Sequence, residues 1–137
     1  MWPAATVLAC ALSALGRSEN RFHPIVFEAS VPREASPNAE AFVTRDPARI
    51  HLVTSSFAFR HAMASPDYCG RRSSLAKIAS MVVHEEWHLR HGADEEGAYL
   101  AQLAALVHLG YDQGSQTYAS VRKAMLHVTR GSPRRGR

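Results

Sequence analysis

The pattern of apolar and polar positions divides this chain into a helix, a group of short strands and a further helical part. The apolar run from Ala4 to Leu15 is rich in Ala and Leu and has Pro3 near its start, which favours a buried first helix. Residues 57–63 suggest a single helical turn. Three stretches with β-branched or alternating side chains predict strands, at residues 23–30, 41–44 and 49–56.

The second half of the chain predicts three helices separated by glycine turns. The first covers residues 73–91, and Gly92 stops it in the usual position for a left-handed residue. Asp94 caps the second helix, which ends near residue 109, and the third covers residues 115–128. A helix, then strands, then helices predicts an α+β domain with a small mixed or antiparallel sheet packed on a helical layer.

Composition adds a domain count and a charge distribution. The 137 residues, 46% hydrophobic and 20% charged, indicate one soluble globular domain over residues 1–129. Four arginines of residues 130–137 carry much of the net charge of +4 and predict a disordered basic tail. The tail has no interleaved aromatic side chains, so it gives little support for a nucleic-acid partner. No run of eighteen apolar residues predicts a membrane span.

Two features bear on the cellular compartment. Cys10 and Cys69 are too few for a disulfide framework. We expect Cys10 to be a buried small hydrophobe, whereas the role of Cys69 stays open between a free thiol, a loop packing residue and a metal ligand.

The apolar run near the N-terminus has the length of a signal peptide, but the first basic residue, Arg17, follows it. A cytoplasmic protein is therefore expected, with secretion as the alternative if residues 1–16 act as an atypical signal sequence.

The segment His84-Glu85-Glu86-Trp87-His88 is an H-E-x-x-H motif on a predicted helix. Residues four apart lie on one helix face, so the two imidazoles can bind one ion at about 2.0–2.1 Å. Glu85 follows His84 by about 100° and lies beside the ion, where it can take a proton from a metal-bound water. The alternative is a solvated surface helix rich in His and Glu. A closed structural zinc site is not favoured, because no cysteine pairs have the spacing for it.

A third metal ligand must come from beyond the Gly92 turn. His91 lies on the motif's face, but about 10 Å along the helix axis from His84. The turn folds the next helix back beside the motif, so a carboxylate of its first turn could reach the ion. Glu95 and Glu96 are about 100° apart, and only one of them can face inward. From the residues alone the choice stays open.

The stretch VVHEEWHLRHGADEEGAYLAQL, residues 82–103, resembles the active-site region of zincin metallopeptidases. It is most similar to small bacterial-type proteins in which an E-x-x-A helix closely follows H-E-x-x-H. The resemblance implies that Glu95 is the third zinc ligand beside His84 and His88, and that Glu85 is the catalytic base. The metzincin pattern would place Asp94 on the ion instead, but its glycine is displaced here.

The same resemblance implies a function and a cleft. It implies a minimal zincin-like fold and a zinc-dependent hydrolase that cleaves a peptide or protein substrate. A zinc-binding interaction protein without turnover is the alternative. Zincins place a strand at the edge of the substrate cleft before the motif helix, and residues 49–55 are expected to serve as that strand.

Overall fold

The computed structural model describes residues 2–33, 39–65, 69 and 73–131, with backbone only for the last two residues. It confirms an α+β fold, with helices before and after a small sheet. The described α-helices and strands are α1 (Ala4–Ala14), β1 (Ile25–Glu28), β2 (Ala41–Arg45), β3 (Ala48–Val53), α2 (Phe57–Ala64), α3 (Ser73–His91), α4 (Glu95–His108) and α5 (Gln116–Gly131), and a short 3₁₀ helix (Glu19–Arg21) precedes β1.

The three strands form a mixed sheet in the order β1-β3-β2. β3 pairs in parallel with β1 on one side and antiparallel with β2 on the other. Residues 49–55, expected to provide the strand at the edge of a substrate cleft, lie largely in β3, which is the central strand of this sheet. Hydrogen bonding on both sides uses the main-chain groups of β3, and the edges of the described sheet belong to β1 and β2.

A polar bridge joins all three strands on one face of the sheet. His51 of β3 contacts the Glu28 carboxylate of β1 through Nδ1 at 2.7 Å and the Thr44 hydroxyl of β2 through Nε2 at 2.9 Å. Its ring stacks on Phe42 of β2 at a centroid distance of 4.6 Å. These contacts satisfy both nitrogens of a largely buried imidazole, so His51 has a structural role.

The hydrophobic core lies between the opposite sheet face and the first three helices. Ile50 and Leu52 of β3 are fully buried, together with Phe59 of α2 and Ile78 of α3. α1 contributes Leu8 and its apolar neighbours to the same cluster. The prediction of a buried first helix is confirmed, and the motif helix α3 has its apolar side in this core.

Cys10 and Cys69 form a disulfide with a Cα–Cα distance of 5.1 Å. The expectation that the two cysteines have separate roles is therefore wrong, and Cys69 is not available as a metal ligand. The bond joins α1 to the segment that leads into α3. Because 59 residues separate the two positions, no local sequence pattern could have paired them.

The C-terminal helix is longer than predicted. α5 runs to Gly131, so the first two residues of the predicted tail at 130–137 have helical backbone. The rest of that tail lies outside the described residues. In the described part of the chain, no helix has both the length and the apolar character needed to cross a bilayer.

We expect the disulfide to make a large contribution to folding stability. For a separation of 59 residues, the chain-entropy relation gives a contribution of about 4 kcal/mol to the free energy of unfolding. Cys69→Ser should lower that free energy in urea titrations, and a reducing agent should lower it for the wild type but not for the variant. Equal stability of variant and wild type would contradict this expectation.

Candidate metal centre

The chain reverses direction at Gly92, between α3 and α4. Gly92 has a φ of +106°, which side chains of L residues rarely allow. Asp94 then caps α4 by accepting a hydrogen bond from the main-chain N–H of Glu96 at 3.1 Å. The helices pack side by side, so the first turn of α4 lies next to the last two turns of α3.

Close contact between the two helices depends on Gly97. A Cβ atom at this position would overlap the indole ring of Trp87, so the missing side chain admits the ring. The indole also stacks on His91 at a centroid distance of 4.6 Å. Trp87 of α3 therefore packs directly against α4.

The two motif histidines and one carboxylate of α4 converge. The Oε1 atom of Glu95 lies 3.1 Å from Nε2 of His84 and 2.8 Å from Nε2 of His88. One ligand atom from each residue lies within 4.8 Å of the other two. In the described ranges this is the one group of three or more potential ligands that meets such a limit.

The other candidates for the third position face elsewhere. The carboxylate of Asp94 caps α4, and Glu96 is exposed on the outer side of the helix. His91 is exposed and lies against Trp87. The structure thus brings Glu95, and neither of its two acidic neighbours, to the histidines.

Hydrogen bonds orient both imidazole rings toward the centre. Nδ1 of His88 lies 2.8 Å from the carbonyl oxygen of Gly92, and Nδ1 of His84 lies 2.9 Å from Oε1 of Gln102. An acceptor at Nδ1 keeps a proton on that nitrogen, so Nε2, which faces Glu95, is the nitrogen that would lose its proton and bind a metal. Two such imidazoles and one carboxylate are a donor set that zinc accepts, so these residues fit the ion.

The charge of the Glu95 carboxylate is complementary to the hydrogen-bonding imidazoles of His84 and His88. Hydrogen bonds from His84 and His88 lower the pKa of Glu95 to about 2, so its carboxylate is ionised at neutral pH. The hydrogen bond with Glu95 raises the pKa of His88 above its ordinary value. A metal ion at this position would compete with a proton on His88 and would gain an anionic oxygen ligand.

Glu85 lies beside the cluster and outside the set of three. Its Oε2 atom is 3.9 Å from Nε2 of His84, and only 9% of the residue is exposed. Burial raises the pKa of this carboxyl group, while the two histidines partly oppose the increase. The position agrees with the predicted offset of about 100° from His84.

Partners distant in sequence hold the motif helix in place. Glu86 is buried and accepts hydrogen bonds from the main-chain N–H and the ring of His23, each at 2.8 Å, and from Arg90 at 2.6 Å. Arg45, the last residue of β2, donates to the main-chain oxygen of His88 at 3.1 Å. These partners, 63 and four residues away in sequence, satisfy the hydrogen-bonding capacity of a buried carboxylate.

Gln102 and Tyr99 of α4 both contact His84, and sequence reasoning missed Gln102. The Tyr99 ring meets the His84 ring edge-on at 4.6 Å. Burial, followed by the charges of Glu95 and Glu85, raises the pKa of its hydroxyl. Gln102 could have been found from its spacing, because it lies seven residues after Glu95 and therefore on the same face of α4.

Comparison with protein-family models, with curated proteins and with solved structures finds no match for this chain. The chemistry of the centre must therefore be inferred from its own donors, hydrogen bonds and burial. The zincin resemblance of residues 82–103 stays an expectation from the motif.

We expect Gly92→Ala to damage both the fold and the centre. A residue with Cβ at this φ costs about 1–3 kcal/mol of stability, although no atom obstructs the new methyl group. The turn supplies the acceptor for His88 and positions Glu95, so zinc affinity should fall as well. Gly114→Ala is a matched control, because Gly114 does not have a positive φ and a Cβ there meets one ordinary contact. Equal unfolding free energies for the two variants would contradict the claim that a Cβ at position 92 strains the backbone.

The stability of the metal-free protein should depend on pH through Glu95. Its folded pKa of about 2 lies below the ordinary 4.5, so its contribution is present above pH 4.5 and is lost as the pH falls toward 2. The unfolding temperature of chelator-treated wild type should exceed that of Glu95→Gln just above pH 4.5. The difference in unfolding temperature should shrink toward pH 2. A difference that does not change with pH would contradict the contribution of the ionised Glu95 carboxylate. The carboxylate is 43% exposed, so the effect is expected to be modest.

Proposed function

We propose that this protein is a zinc-dependent hydrolase and that it acts as a metallopeptidase. One observation carries the proposal: His84, His88 and Glu95 converge from two helices while the Glu85 carboxylate lies beside them. Three protein ligands with a free fourth position are typical of catalytic zinc sites, and structural zinc sites usually have four.

His84, His88 and Glu95 would hold the ion. Two histidines and a glutamate form one of the ligand sets found in zinc peptidases. Zinc held there would polarise a substrate carbonyl and lower the pKa of a water molecule in the open position. The ionised Glu95 offsets one of the two positive charges of the ion.

Glu85 is the proposed general base. Its buried carboxylate would accept a proton from the attacking water and would later deliver it to the nitrogen of the leaving amine. Burial favours this transfer, because a carboxylate with a raised pKa is a stronger base than an exposed one. The neighbouring Glu95 would take no part in the proton transfer, since its own pKa is far too low.

An extended peptide is the proposed substrate class. Within the described residues, β2 pairs with β3 on one side and has its other edge free. β2 also reaches the motif helix, because Arg45 bonds the main chain of His88. An edge strand can bind an extended peptide by main-chain hydrogen bonds, and this edge would lead the peptide past the motif helix.

The disulfide supports a compartment different from the first expectation. Disulfides persist in oxidising environments and are rare in the cytosol. The Cys10–Cys69 bond therefore supports an oxidising compartment over the cytosol, with α1 kept as part of the folded domain rather than removed as a signal sequence. The protein can be taken from its natural source, unfolded without reduction and treated with a thiol label. Both cysteines should be blocked if this proposal is right, and both should be labelled if the protein works under reducing conditions.

The proposal predicts different results for a ligand variant and a base variant. Wild type should bind one zinc per chain, and His84→Ala should lose it, whereas His127→Ala, which removes an exposed histidine of α5, should keep it. Glu85→Gln should keep the zinc but hydrolyse an unfolded protein substrate at least about 100-fold more slowly. Zinc analysis and peptide release measure the two effects.

Two outcomes would contradict the proposal. If the wild-type protein does not bind zinc, the proposed metal centre is wrong. Zinc binding with no hydrolysis of any unfolded protein or peptide library would instead favour the second candidate, an interaction protein that uses the metal only for structure. The convergence of the three ligands is compatible with that candidate, while the buried Glu85 carboxylate beside them favours the hydrolase.

A further inference from the structure

A buried chain of hydrogen bonds runs from the main chain of α3 to the metal centre. The Ser80 hydroxyl donates to the carbonyl oxygen of Lys77 at 2.8 Å. The amide nitrogen of Gln102 donates to Ser80 Oγ at 3.1 Å, and the amide oxygen of Gln102 lies 2.9 Å from Nδ1 of His84. Ser80 is fully buried and Gln102 is 4% exposed, so water does not compete with these contacts.

Each hydrogen bond in this chain determines the direction of the next one. The carbonyl of Lys77 can only accept, so the single proton of the Ser80 hydroxyl is used there. Ser80 Oγ can then only accept a hydrogen bond, and the amide group of Gln102 must turn its NH₂ toward it. The amide oxygen therefore faces His84, and that oxygen requires a proton on Nδ1 of the ring.

We propose that Gln102, oriented by Ser80, is the positioning residue of the metal centre. The pair holds His84 with a proton on Nδ1 and with Nε2 toward Glu95 before any metal arrives, so a metal need only displace the proton that Nε2 shares with Glu95. Gln102 contacts His84 at Nδ1, the nitrogen away from Glu95, so it would act on a bound ion only through the imidazole. The inference rests on the proposed zinc site and goes beyond it, because it assigns control of metal affinity to a pair outside the ligand set.

A neutral amide suits this position better than the carboxylate that often orients zinc-bound histidines. Glu85 and Glu95 already bring two carboxylates to the centre, and Glu85 is strongly desolvated. A third carboxylate, buried at position 102, would carry a large desolvation cost. The amide satisfies Nδ1 of His84 without adding a negative charge, so more of the positive charge of the ion remains to act on a substrate carbonyl.

Three variants separate positioning from packing, with zinc affinity measured by chelator competition. Gln102→Met preserves the volume but removes the acceptor, so affinity should fall about 10- to 100-fold. Gln102→Glu restores an acceptor for Nδ1 and should recover most of that loss. Ser80→Ala frees the amide to rotate, and a smaller loss is expected. Gln116→Met, an exposed glutamine of α5, is the control and should leave affinity unchanged.

A purely structural role predicts the reverse order. If Gln102 only fills space, Gln102→Met should bind zinc like wild type and Gln102→Glu, with a buried charge, should be the worst variant. That order would overturn the proposal. The absorption spectrum of the cobalt-substituted protein adds a readout of ligand geometry, and an unchanged spectrum in Gln102→Met would count against the proposal as well.

Two further measurements keep the test decisive. Thermal unfolding of the metal-free variants shows which of them fold, and Ser80→Ala tests the proposal even where a substitution at Gln102 prevents folding. Wild type without zinc affinity would overturn the metal centre itself. Wild type that binds zinc, with Gln102→Met and Ser80→Ala binding equally well, would overturn the positioning role alone and leave the proposed function standing.

Discussion

The reversal of the chain at Gly92 is the constraint on which the candidate centre depends. Two histidines on one helix face can supply only two ligands, and the third must approach from another element. The left-handed turn places Glu95 in the first turn of α4, directly against both rings. The same turn offers its carbonyl oxygen to His88, so one local conformation both completes the ligand set and orients a ligand.

The centre combines strong charge interactions with neutral hydrogen bonds. Glu95 is held ionised by both imidazoles, whereas the outer nitrogens of those imidazoles meet carbonyl oxygens from Gly92 and Gln102. Glu85, buried beside them, keeps a raised pKa. The two carboxylates thus differ in proton affinity because of their surroundings, which suits one of them for binding a cation and the other for moving a proton.

The remainder of this small domain holds the two helices in register. The Glu86 carboxylate ties α3 to His23 near β1, and Arg45 ties it to the end of β2. The disulfide joins α1 to the segment before α3, while Gly97 lets α4 approach Trp87 closely. These contacts bridge distant parts of the chain, and together they hold in place the helix that carries His84, Glu85 and His88.

Local patterns in the sequence determined the helices, the small sheet, the α+β class and the motif residues His84, Glu85 and His88. These features depend on helical and strand periods and on glycine turns, all of which act over a few residues. Only the tertiary structure decided which carboxylate after Gly92 meets the rings, that β3 is central, that Cys10 pairs with Cys69 and that Gln102 orients His84. Each of those depends on how separate elements pack, and side chains far apart in sequence leave no periodic signal of their contact.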